Sequence, residues 1–550
     1  MLSGKVDGTL AELADMAQND TFRDDEVALA QATPCRISGP RTRNACSFVR
    51  LWVADPARAE VESGVRAFCP PSVEIMSYGR IRGASIFGVV AVIAVLIPAG
   101  SRFDRTPSHA PAFALPQSDY PDSLALTPPM GWNSYDSYGG AVNEDEMRTN
   151  AKYVADHLAQ CGWKYVVVDY YWYFADPEAA ESSSGQDKLE TSIDNYGRLL
   201  PASNRFPSSA GGKGFKPLAD YVHSLGLKFG IHIMRGIPRI AVEHDLPVLG
   251  TEARARDIAD TSNICDWSTA MYGVDVTKPA GQAYYNSLAA LYASWDVDFI
   301  KADDMSRGSA HESYHGPEIE ALRKAMTNTG RPMVLSLSPG PAPLDQAASL
   351  SQWSQMWRIS DDMWDAWKEV LAQFTRARSS ARYSGPNHWP DADMLPLGRL
   401  RVRGFSDPPR MSRLTHDEQT TLMTLWCIFR SPLMMGGDLP SLDPFTASLL
   451  ENPEVLKVDQ SSSSGHEVFN RQSHIVWEAE ASGGHSTYLA LFDTGDADAE
   501  VSATWAQLGL KGKQNVRDLW ARRDLGSFSG SFSAQLRHHG AGLYELTAVQ

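Results

Sequence analysis

Eight short apolar runs recur along the middle of the chain, and most of them carry polar residues in their carboxyl-terminal half. Between several of them lie segments of helical length, such as residues 143–162 and 281–295, whose apolar residues recur at every third or fourth position. This alternation of strands and helices predicts an α/β protein built as a (β/α)8 TIM barrel. The runs are MGWNSY (130–135), YVVVDYYW (165–172), KFGIHIM (228–234), DFIKADD (298–304), PMVLSLSP (332–339), MWRISDD (356–362), HWPDADML (388–395) and FRSPLMMGGD (429–438).

Chemically functional residues gather at the carboxyl ends of these runs. In a barrel of this kind the active site lies at that end of the strands. A doubly wound sheet would also alternate strands with helices, but eight units without a glycine-rich phosphate loop make that fold the poorer match. The candidates at the strand ends are Asp169, His232, Asp303, Ser338, Asp362 and Asp393.

From about residue 461 the pattern changes to short β-type runs separated by Gly, Asp and Ser turns. We therefore predict a small antiparallel β domain, a sandwich, at residues 461–550 after a barrel at residues 125–460. By analogy with other enzymes that combine a barrel with a sandwich, the expected role of the second domain is structural packing.

An export segment lies far from the start of the chain. Residues 76–101 carry two arginines and then an uncharged, largely apolar run from Gly83 to Ser101, which is typical of a secretory signal peptide or an N-terminal membrane anchor. We predict that translation begins at or near Met76, so that residues 1–75 are a spurious or disordered extension. The alternative is a genuine cytoplasmic tail ahead of a type II anchor.

Both alternatives place the rest of the chain, after a linker at residues 102–124, in an export compartment, periplasmic or extracellular. A membrane is an expected partner only if residues 83–101 stay as an anchor. The cysteines that remain after the linker, Cys161, Cys265 and Cys427, are odd in number and widely spaced, so they imply neither a disulfide framework nor a zinc site.

Net charge restricts the partners further. The 550-residue chain carries a net charge of -16, and outside residues 398–403 it has no run rich in Lys and Arg, so no nucleic-acid partner is expected. The carboxylates of residues 303, 304, 391 and 393 are of the type that binds Mg²⁺ or Ca²⁺, but no clustered ligand loop supports a metal site. We predict no metal and no cofactor, and the sequence does not indicate an oligomeric state.

Two of the strand-end carboxylates suit glycoside hydrolysis. Asp303 and Asp362 follow the fourth and sixth runs, and a barrel can bring them face to face across its mouth. A retaining glycosidase needs two carboxyl groups about 5 Å apart, one as nucleophile and one as acid and base. Lys301 and Arg358 precede the two aspartates and can help to hold one of them ionised, and the alternative role for Arg358 is to bind a substrate hydroxyl. A single strand-end Asp is more often a loop anchor or a helix cap, but several at one barrel rim favour a catalytic site.

These motifs resemble those of glycoside hydrolase family 27, the α-galactosidase and α-N-acetylgalactosaminidase group, over about residues 125–550. VDFIKADD is similar to the strand-four motif of that family, and the resemblance implies that Asp303 is the nucleophile and that Lys301 binds a sugar hydroxyl. MWRISDDMWDAW is similar to the segment in which an arginine precedes the acid/base by four positions. The resemblance implies that Asp362 is the acid/base and that Arg358 is this arginine. Asp361 is the neighbour with which Asp362 is most easily confused.

Other motifs extend the resemblance. TPPMGWNSYDSYG resembles the opening motif of the family and would place Trp132 against the sugar, while HWPDADML and SPLMMGGDL resemble its last two strand motifs. The further substrate contacts that we expect are Asp169, Tyr170, Trp172 and Asp393.

The chain also departs from the family pattern. The galactosidases of the family usually end the second strand on two aspartates that bind the 4- and 6-hydroxyls, whereas here Tyr170 follows Asp169. Ser338 stands where galactosidases place a glutamate facing the 2-hydroxyl, which resembles the N-acetylgalactosaminidase pattern. His232 and Arg235 replace a usually acidic segment, and a hydrogen-bonding role is favoured for His232 over a proton shuttle.

The resemblance implies a retaining exo-glycosidase that removes terminal α-D-galactosyl residues from oligo- or polysaccharides. The alternatives are α-N-acetylgalactosaminidase, β-L-arabinopyranosidase or isomaltodextranase-like activity on the same two aspartates, and transglycosylation. A non-catalytic carbohydrate-binding protein on the same fold should have lost at least one of the two carboxylates.

Overall fold

Eight parallel strands form the first domain of the computed structural model, which describes residues 124–178, 186, 189–265, 267–307 and 314–549. The strands lie in chain order in one sheet, with the eighth beside the first. A bridge between Leu395, just beyond the seventh strand, and Met435 in the eighth closes the sheet into a barrel. The barrel strands are Met130–Asn133, Tyr165–Val168, Lys228–Met234, Phe299–Asp303, Val334–Leu337, Met356–Arg358, Trp389–Asp391 and Leu433–Met435.

Helices follow the barrel strands and cover the outside of the sheet. The helix Pro279–Ser294 buries one apolar face, on which Tyr284, Leu288 and Tyr292 lie at helical spacing. The helices of seven or more residues are Glu144–Tyr153, Lys216–Ser224, Pro279–Ser294, Gly316–Asn328, Ala347–Trp353, Trp367–Ser380, His416–Phe429, Pro444–Leu450 and Pro453–Ser461. Shorter helices are Tyr135–Tyr138, Arg239–Glu243 and Ala255–Ile258, and a π-helical turn, Val154–Leu158, extends the first long helix.

The segment after the third barrel strand adds a small three-stranded sheet on the way to the fourth. Its strands are Ile237–Pro238, Ala259–Asp260 and Met271–Val274, and Met271–Val274 lies between the other two. A two-stranded ribbon, Arg399–Leu400 with Arg410–Met411, follows the seventh barrel strand. The sequence pattern did not predict either addition.

The second domain is antiparallel throughout, as predicted. Its main sheet has six strands, which in spatial order are Ser463–Arg471, His474–Glu480, Ser486–Asp493, Ala541–Ala548, Lys513–Asp518 and Arg523–Ser529. The pair Ala499–Thr504 and Ser531–Leu536 forms the second layer. Val501 and Phe532 of this pair share an apolar core with Leu489 and Leu546 of the main sheet, so the domain is a sandwich.

The helix His416–Phe429 joins the two domains. The Thr421 hydroxyl donates a hydrogen bond to the His539 carbonyl at 2.6 Å, and the Trp520 indole N–H donates one to Thr424 Oγ1 at 2.9 Å. The largest apolar cluster runs from the barrel through this helix to Trp477 of the sandwich.

The predicted barrel and sandwich are confirmed. The predictions for residues 1–75, for the export segment 76–101 and for nearly all of the linker lie outside the described residues. Within the described part of the chain, no helix is both long and apolar enough to cross a membrane.

Candidate active site

A cavity of about 340 Å³ opens at the carboxyl ends of the barrel strands. Its walls combine acidic, basic and aromatic side chains, which together suit a polar ligand with an apolar face. The charged lining residues are Asp136, Asp169, Asp303, Asp361, Asp362, Asp393, Lys301, Arg307 and Arg358, and the aromatic ones are Tyr135, Tyr170, Trp267 and Trp364.

Asp303 ends the fourth barrel strand and is held by three donors. Ser338 Oγ donates to Oδ1 at 2.8 Å, His232 Nε2 contacts Oδ2 at 3.1 Å, and the Asp304 backbone N–H reaches Oδ1 at 3.1 Å. Burial alone would raise the pKa of Asp303, but His232, Lys301 and Ser338 outweigh it and hold the pKa well below its usual range. The carboxylate is therefore ionised and fixed in orientation.

Lys301 and Asp169 form the next pair along the rim. Lys301 Nζ lies 3.0 Å from Asp169 Oδ2, which also accepts a hydrogen bond from Asn133 Nδ2 at 2.6 Å. Asp169 is buried, which would raise its pKa, yet Lys301 and His232 lower the pKa below its usual value. A buried charge that is paired and hydrogen-bonded in this way is tolerated and rigid.

Arg358 lies between two carboxylates on the opposite side. Its Nη2 is 2.7 Å from Asp393 Oδ2 and 3.2 Å from Asp362 Oδ1. Burial, with Asp362 and Asp391 nearby, raises the pKa of Asp393 to about 7 even though Arg358 opposes the shift. The backbone N–H of Met363 also donates to Asp393 Oδ2 at 2.7 Å.

Asp362 and Asp303 differ in their exposure to solvent. The Asp362 side chain is 62% exposed, whereas that of Asp303 is 16% exposed. The neighbour Asp361 pairs with Arg307, so the two adjacent aspartates are distinguished by their partners. One enclosed, ionised carboxylate and one exposed carboxyl group thus share the cavity, and two carboxyl groups in one cavity suit hydrolysis of a glycosidic bond.

Aromatic rings form one side of the cavity. Tyr170 stacks on Tyr171 with ring centroids 3.5 Å apart and meets His232 and Trp267 edge to face at 5.1 and 5.7 Å. Trp267 is 39% exposed at the rim. Tyr171 adopts a left-handed backbone conformation with φ 63°, which ends the second strand early and turns the chain at Tyr170.

Comparison with known proteins accounts for both domains. Residues 127–275 and 272–461 match the family model described as alpha galactosidase A, and residues 471–546 match the one described as alpha galactosidase C-terminal beta sandwich domain. The chain belongs to glycoside hydrolase family 27.

The similar proteins differ in their named activities. A β-L-arabinopyranosidase of family 27 from Geobacillus stearothermophilus is 48% identical, with a TM-score of 0.74, over 78% of this chain and 97% of that one. A Bacillus halodurans protein with the provisional description of α-N-acetylgalactosaminidase is 43% identical, with a TM-score of 0.70, over 79% of this chain and 100% of that one. An α-galactosidase from Cyamopsis tetragonoloba is 27% identical over 84% of this chain and 98% of the relative. The chain is a glycoside hydrolase, and the resemblance in its motifs is confirmed.

The structure brings most of the predicted site residues of this family 27 enzyme to one cavity. Those that line it are Asp169, Tyr170, Lys301, Asp303, Arg358, Asp362 and Asp393. His232 and Ser338 lie behind the wall and contact the Asp303 carboxylate, so they orient it from within the barrel.

Two predicted contacts are corrected. Trp132 and Trp172 are fully buried and do not line the cavity, because their indole N–H groups donate to the carbonyls of Gly437 and His232 within the protein. Tyr135, three residues after Trp132, lines the cavity instead. The first strand ends at Asn133, and the chain then turns into a short helix that brings Tyr135 and Asp136 to the rim.

Several lining residues were not predicted from the sequence. Asp136, Trp267, Arg307 and Trp364 lie in loops and short helices beyond the strand ends, where no periodic pattern sets their direction. For Asp136 a signal was present, because an acidic residue follows the first strand as it does the second and fourth.

One group in the described part of the chain has metal-ligand spacing, and it lies outside the cavity. Asp220, His223 and Asp296 bring their ligand atoms within 4.8 Å of one another at the surface. Lys216 Nζ pairs with Asp220 and lies 3.2 Å from Asp296. The positive charge at this group is therefore supplied by the lysine side chain.

Proposed function

We propose that this enzyme is a retaining exo-glycosidase that removes terminal β-L-arabinopyranosyl residues. The proposal is supported by the presence of Asp303 and Asp362 in one cavity and by the 48% identity to the Geobacillus β-L-arabinopyranosidase. That relative is much more similar in sequence than the α-galactosidase from Cyamopsis tetragonoloba, at 27%.

The reaction proceeds in two displacements. The Asp303 carboxylate forms a bond to the anomeric carbon as the bond to the leaving oxygen breaks, and Asp362 gives its proton to that oxygen. Water then attacks the same carbon, Asp362 takes the proton of the water, and the bond to Asp303 breaks with net retention. The exposed position of Asp362 at the mouth suits exchange of the leaving group for water.

Tyr170 is the observation that carries the sugar assignment. β-L-Arabinopyranose has the ring hydroxyl arrangement of α-D-galactopyranose and lacks only the hydroxymethyl group. At this position the galactosidases of the family present a carboxylate that binds the 4- and 6-hydroxyls, whereas Tyr170 presents a larger ring fixed by Tyr171 and Trp267. Exchange of the carboxylate for Tyr170 therefore costs a galactoside both contacts, but it costs an arabinopyranoside only the contact to its 4-hydroxyl.

Hydrolysis of α-D-galactosides, as predicted from the sequence, is the second candidate. It is favoured by the retained Lys301–Asp169 pair at the rim and by the curated relatives named α-galactosidase. Ser338 gives no support to an N-acetylgalactosaminide, because its hydroxyl is used by Asp303 rather than presented to the cavity.

Initial rates on three aryl glycosides test the proposal. We expect the wild-type enzyme to have its highest kcat/KM on the β-L-arabinopyranoside, followed by the α-D-galactoside and then the α-N-acetylgalactosaminide. Tyr170→Asp should shift the preference towards the galactoside by about tenfold, the effect of one charge-assisted hydrogen bond. Tyr170→Phe is the matched control and should keep the wild-type preference.

A wild-type preference for the α-D-galactoside that Tyr170→Asp leaves unchanged would rule out the arabinopyranoside assignment. The catalytic pair would then still stand, because all three substrates depend on it.

We also propose that the enzyme is exported. The apolar run from Gly83 to Ser101 supports this location. Cell fractionation with peptide mapping of the mature N-terminus is the test, and a protein found in the cytoplasm with residues 76–101 intact would contradict it.

A further inference from the structure

Asp136 has no role in the steps above, yet it lies in the cavity wall. It is the second residue of the short helix Tyr135–Tyr138, which follows the first barrel strand. Its side chain lines the cavity although the residue is only 5% exposed. The backbone carbonyl of Asp136 accepts a hydrogen bond from Arg401 N–H at 2.8 Å, which anchors the turn.

One oxygen of the Asp136 carboxyl group lacks the hydrogen-bond partner that buried polar atoms usually have. Among the described residues, Asp136 Oδ2 is buried and has no hydrogen-bond partner. Leaving a buried carboxyl oxygen unpaired costs free energy, so a carboxyl group of this kind in a cavity wall calls for an explanation.

The eighth barrel strand leaves space for this carboxyl. Gly436 follows that strand, and a Cβ at this position would clash with Asp136 Oδ2 and Cγ. Gly436 is not among the glycines with positive φ, so the absence of a side chain here serves space rather than backbone freedom. The absence of a side chain at Gly436 therefore leaves room for the Asp136 carboxyl group in the cavity wall.

The charges that face Asp136 come from several strands. Burial raises the pKa of Asp136 well above its usual range, and Asp393, Asp362 and Asp169 raise it further, while Lys301 lowers it. The protonated carboxyl offers one donor and one acceptor, as a sugar hydroxyl also does.

We propose that Asp136 binds a ring hydroxyl of the terminal sugar, on the edge remote from the anomeric carbon. This inference rests on the proposed function, since it takes the anomeric carbon to lie at Asp303 on the fourth strand. In an eight-stranded barrel the first strand lies across the mouth from the fourth and fifth. A sugar held at Asp303 therefore turns its opposite edge, with the 3- and 4-hydroxyls, towards Asp136.

A cycle of variants and deoxy sugars tests the assignment. Dissociation constants are measured by calorimetry for L-arabinose and its 2-, 3- and 4-deoxy forms with the wild-type enzyme, Asp136→Ala and Asp136→Asn. Asp156→Asn, at an exposed helical position, is the control and should bind as wild type. We expect Asp136→Ala to bind L-arabinose about tenfold more weakly, and Asp136→Asn to stay within about threefold because its amide keeps a donor and an acceptor.

The deoxy sugars separate a binding role from a structural one. If Asp136 binds the 3- or 4-hydroxyl, the corresponding deoxy sugar binds more weakly to wild type, and Asp136→Ala adds little further loss for that sugar alone. The inference is overturned if Asp136→Ala binds L-arabinose as wild type does, or if it weakens all four sugars equally.

The same cycle can be run with D-galactose and its deoxy forms. A wild-type enzyme that cleaves only galactosides would refute the proposed substrate, while the coupling between Asp136 and one hydroxyl would still report on this inference.

Discussion

Asp303 and Asp362 share one cavity and have unlike surroundings, and this difference divides their roles. Three hydrogen bonds hold Asp303 as an anion with little freedom, which suits attack on carbon. Asp362 has Arg358 as a partner at 3.2 Å and is largely exposed, which suits exchange of a proton with a leaving group or water.

Replacing either aspartate by asparagine should therefore have different effects. Asp303→Asn should abolish turnover of every substrate, because the amide of asparagine cannot replace the carboxylate as the nucleophile. Asp362→Asn should lose far more activity on a natural disaccharide than on an aryl glycoside whose leaving group needs no proton. Steady-state rates on both substrate types measure this, and an equal loss on both for Asp362→Asn would count against its acid role.

Asp393 gives the free energy of unfolding a pH dependence. Its folded pKa is about 7, against about 4 for an unfolded aspartate, so between these values the folded state binds the extra proton. The contribution of Asp393 to stability is thus complete below pH 4 and is lost as the pH rises to 7.

In Asp393→Asn that loss should disappear. We expect the stability of the variant relative to wild type to rise with pH, by up to about 1.4 kcal/mol per pH unit between pH 5 and 7, and then to level off. Urea denaturation at several pH values measures the difference, and parallel profiles for the two proteins would contradict the expectation.

Residue chemistry could be predicted from the sequence where a strand end fixes the direction of the side chain. Lys301 and Asp303 are two residues apart on one strand, so their side chains point to the same face. Both can therefore be placed at the rim once the strand is assigned. Trp132 and Tyr135 show the limit of this prediction, because the turn after Asn133 decides which aromatic ring reaches the cavity. The pattern of apolar residues does not predict the geometry of that turn.

At the scale of elements, strand positions were predicted well and their ends were not. The third strand has its predicted bounds, but the second stops at Val168, four residues early, because Asp169 and Tyr170 turn to the cavity and Tyr171 is left-handed. The small sheet at residues 237–274 was missed because its strands of two to four residues are too short for a periodic signal.

The helix His416–Phe429 shows how one cap supports two domains. Thr415 accepts a hydrogen bond from Glu418 N–H at 3.2 Å, and Glu418 Oε2 accepts one from Thr415 N–H at 2.8 Å. Glu418 Oε1 also lies 2.8 Å from His539 Nδ1 in the sandwich. The cap thus fixes a carboxylate that contacts the other domain.

Thr415→Ala should destabilise the enzyme by about 1 kcal/mol, because the Glu418 N–H loses its acceptor. Thr415→Ser keeps the hydroxyl and is the matched control. Urea denaturation compares the three proteins, and equal midpoints for the alanine and serine variants would show that the cap contributes no stability.

At the scale of the whole molecule, the barrel and the sandwich share a core. Trp477 of the sandwich is fully buried and meets Phe429 of the barrel helix edge to face at 6.2 Å. Arg517 pairs with Glu454 across the same boundary at 2.7 Å. The sequence predicted both domains but not this shared core, since pairing between distant segments leaves no local pattern.

We therefore expect a single cooperative unfolding transition in calorimetry. Trp477→Ala should lower its midpoint strongly, because emptying a fully buried indole site costs about 3–5 kcal/mol. Trp267→Ala removes a 39% exposed ring and is the control with little effect on stability. Two separate transitions in the wild-type enzyme would show that the domains are independent.

The shared core also sets the unit that can be exchanged between relatives. A chimera that takes the C-terminal sandwich from another family member would bring a foreign surface against Phe429 and Glu454 and would lose their matched partners. Recombination is therefore expected to succeed when barrel and sandwich are inherited as one block. Changes of specificity should then arise by exchanging rim segments alone, such as the turn that carries Tyr170.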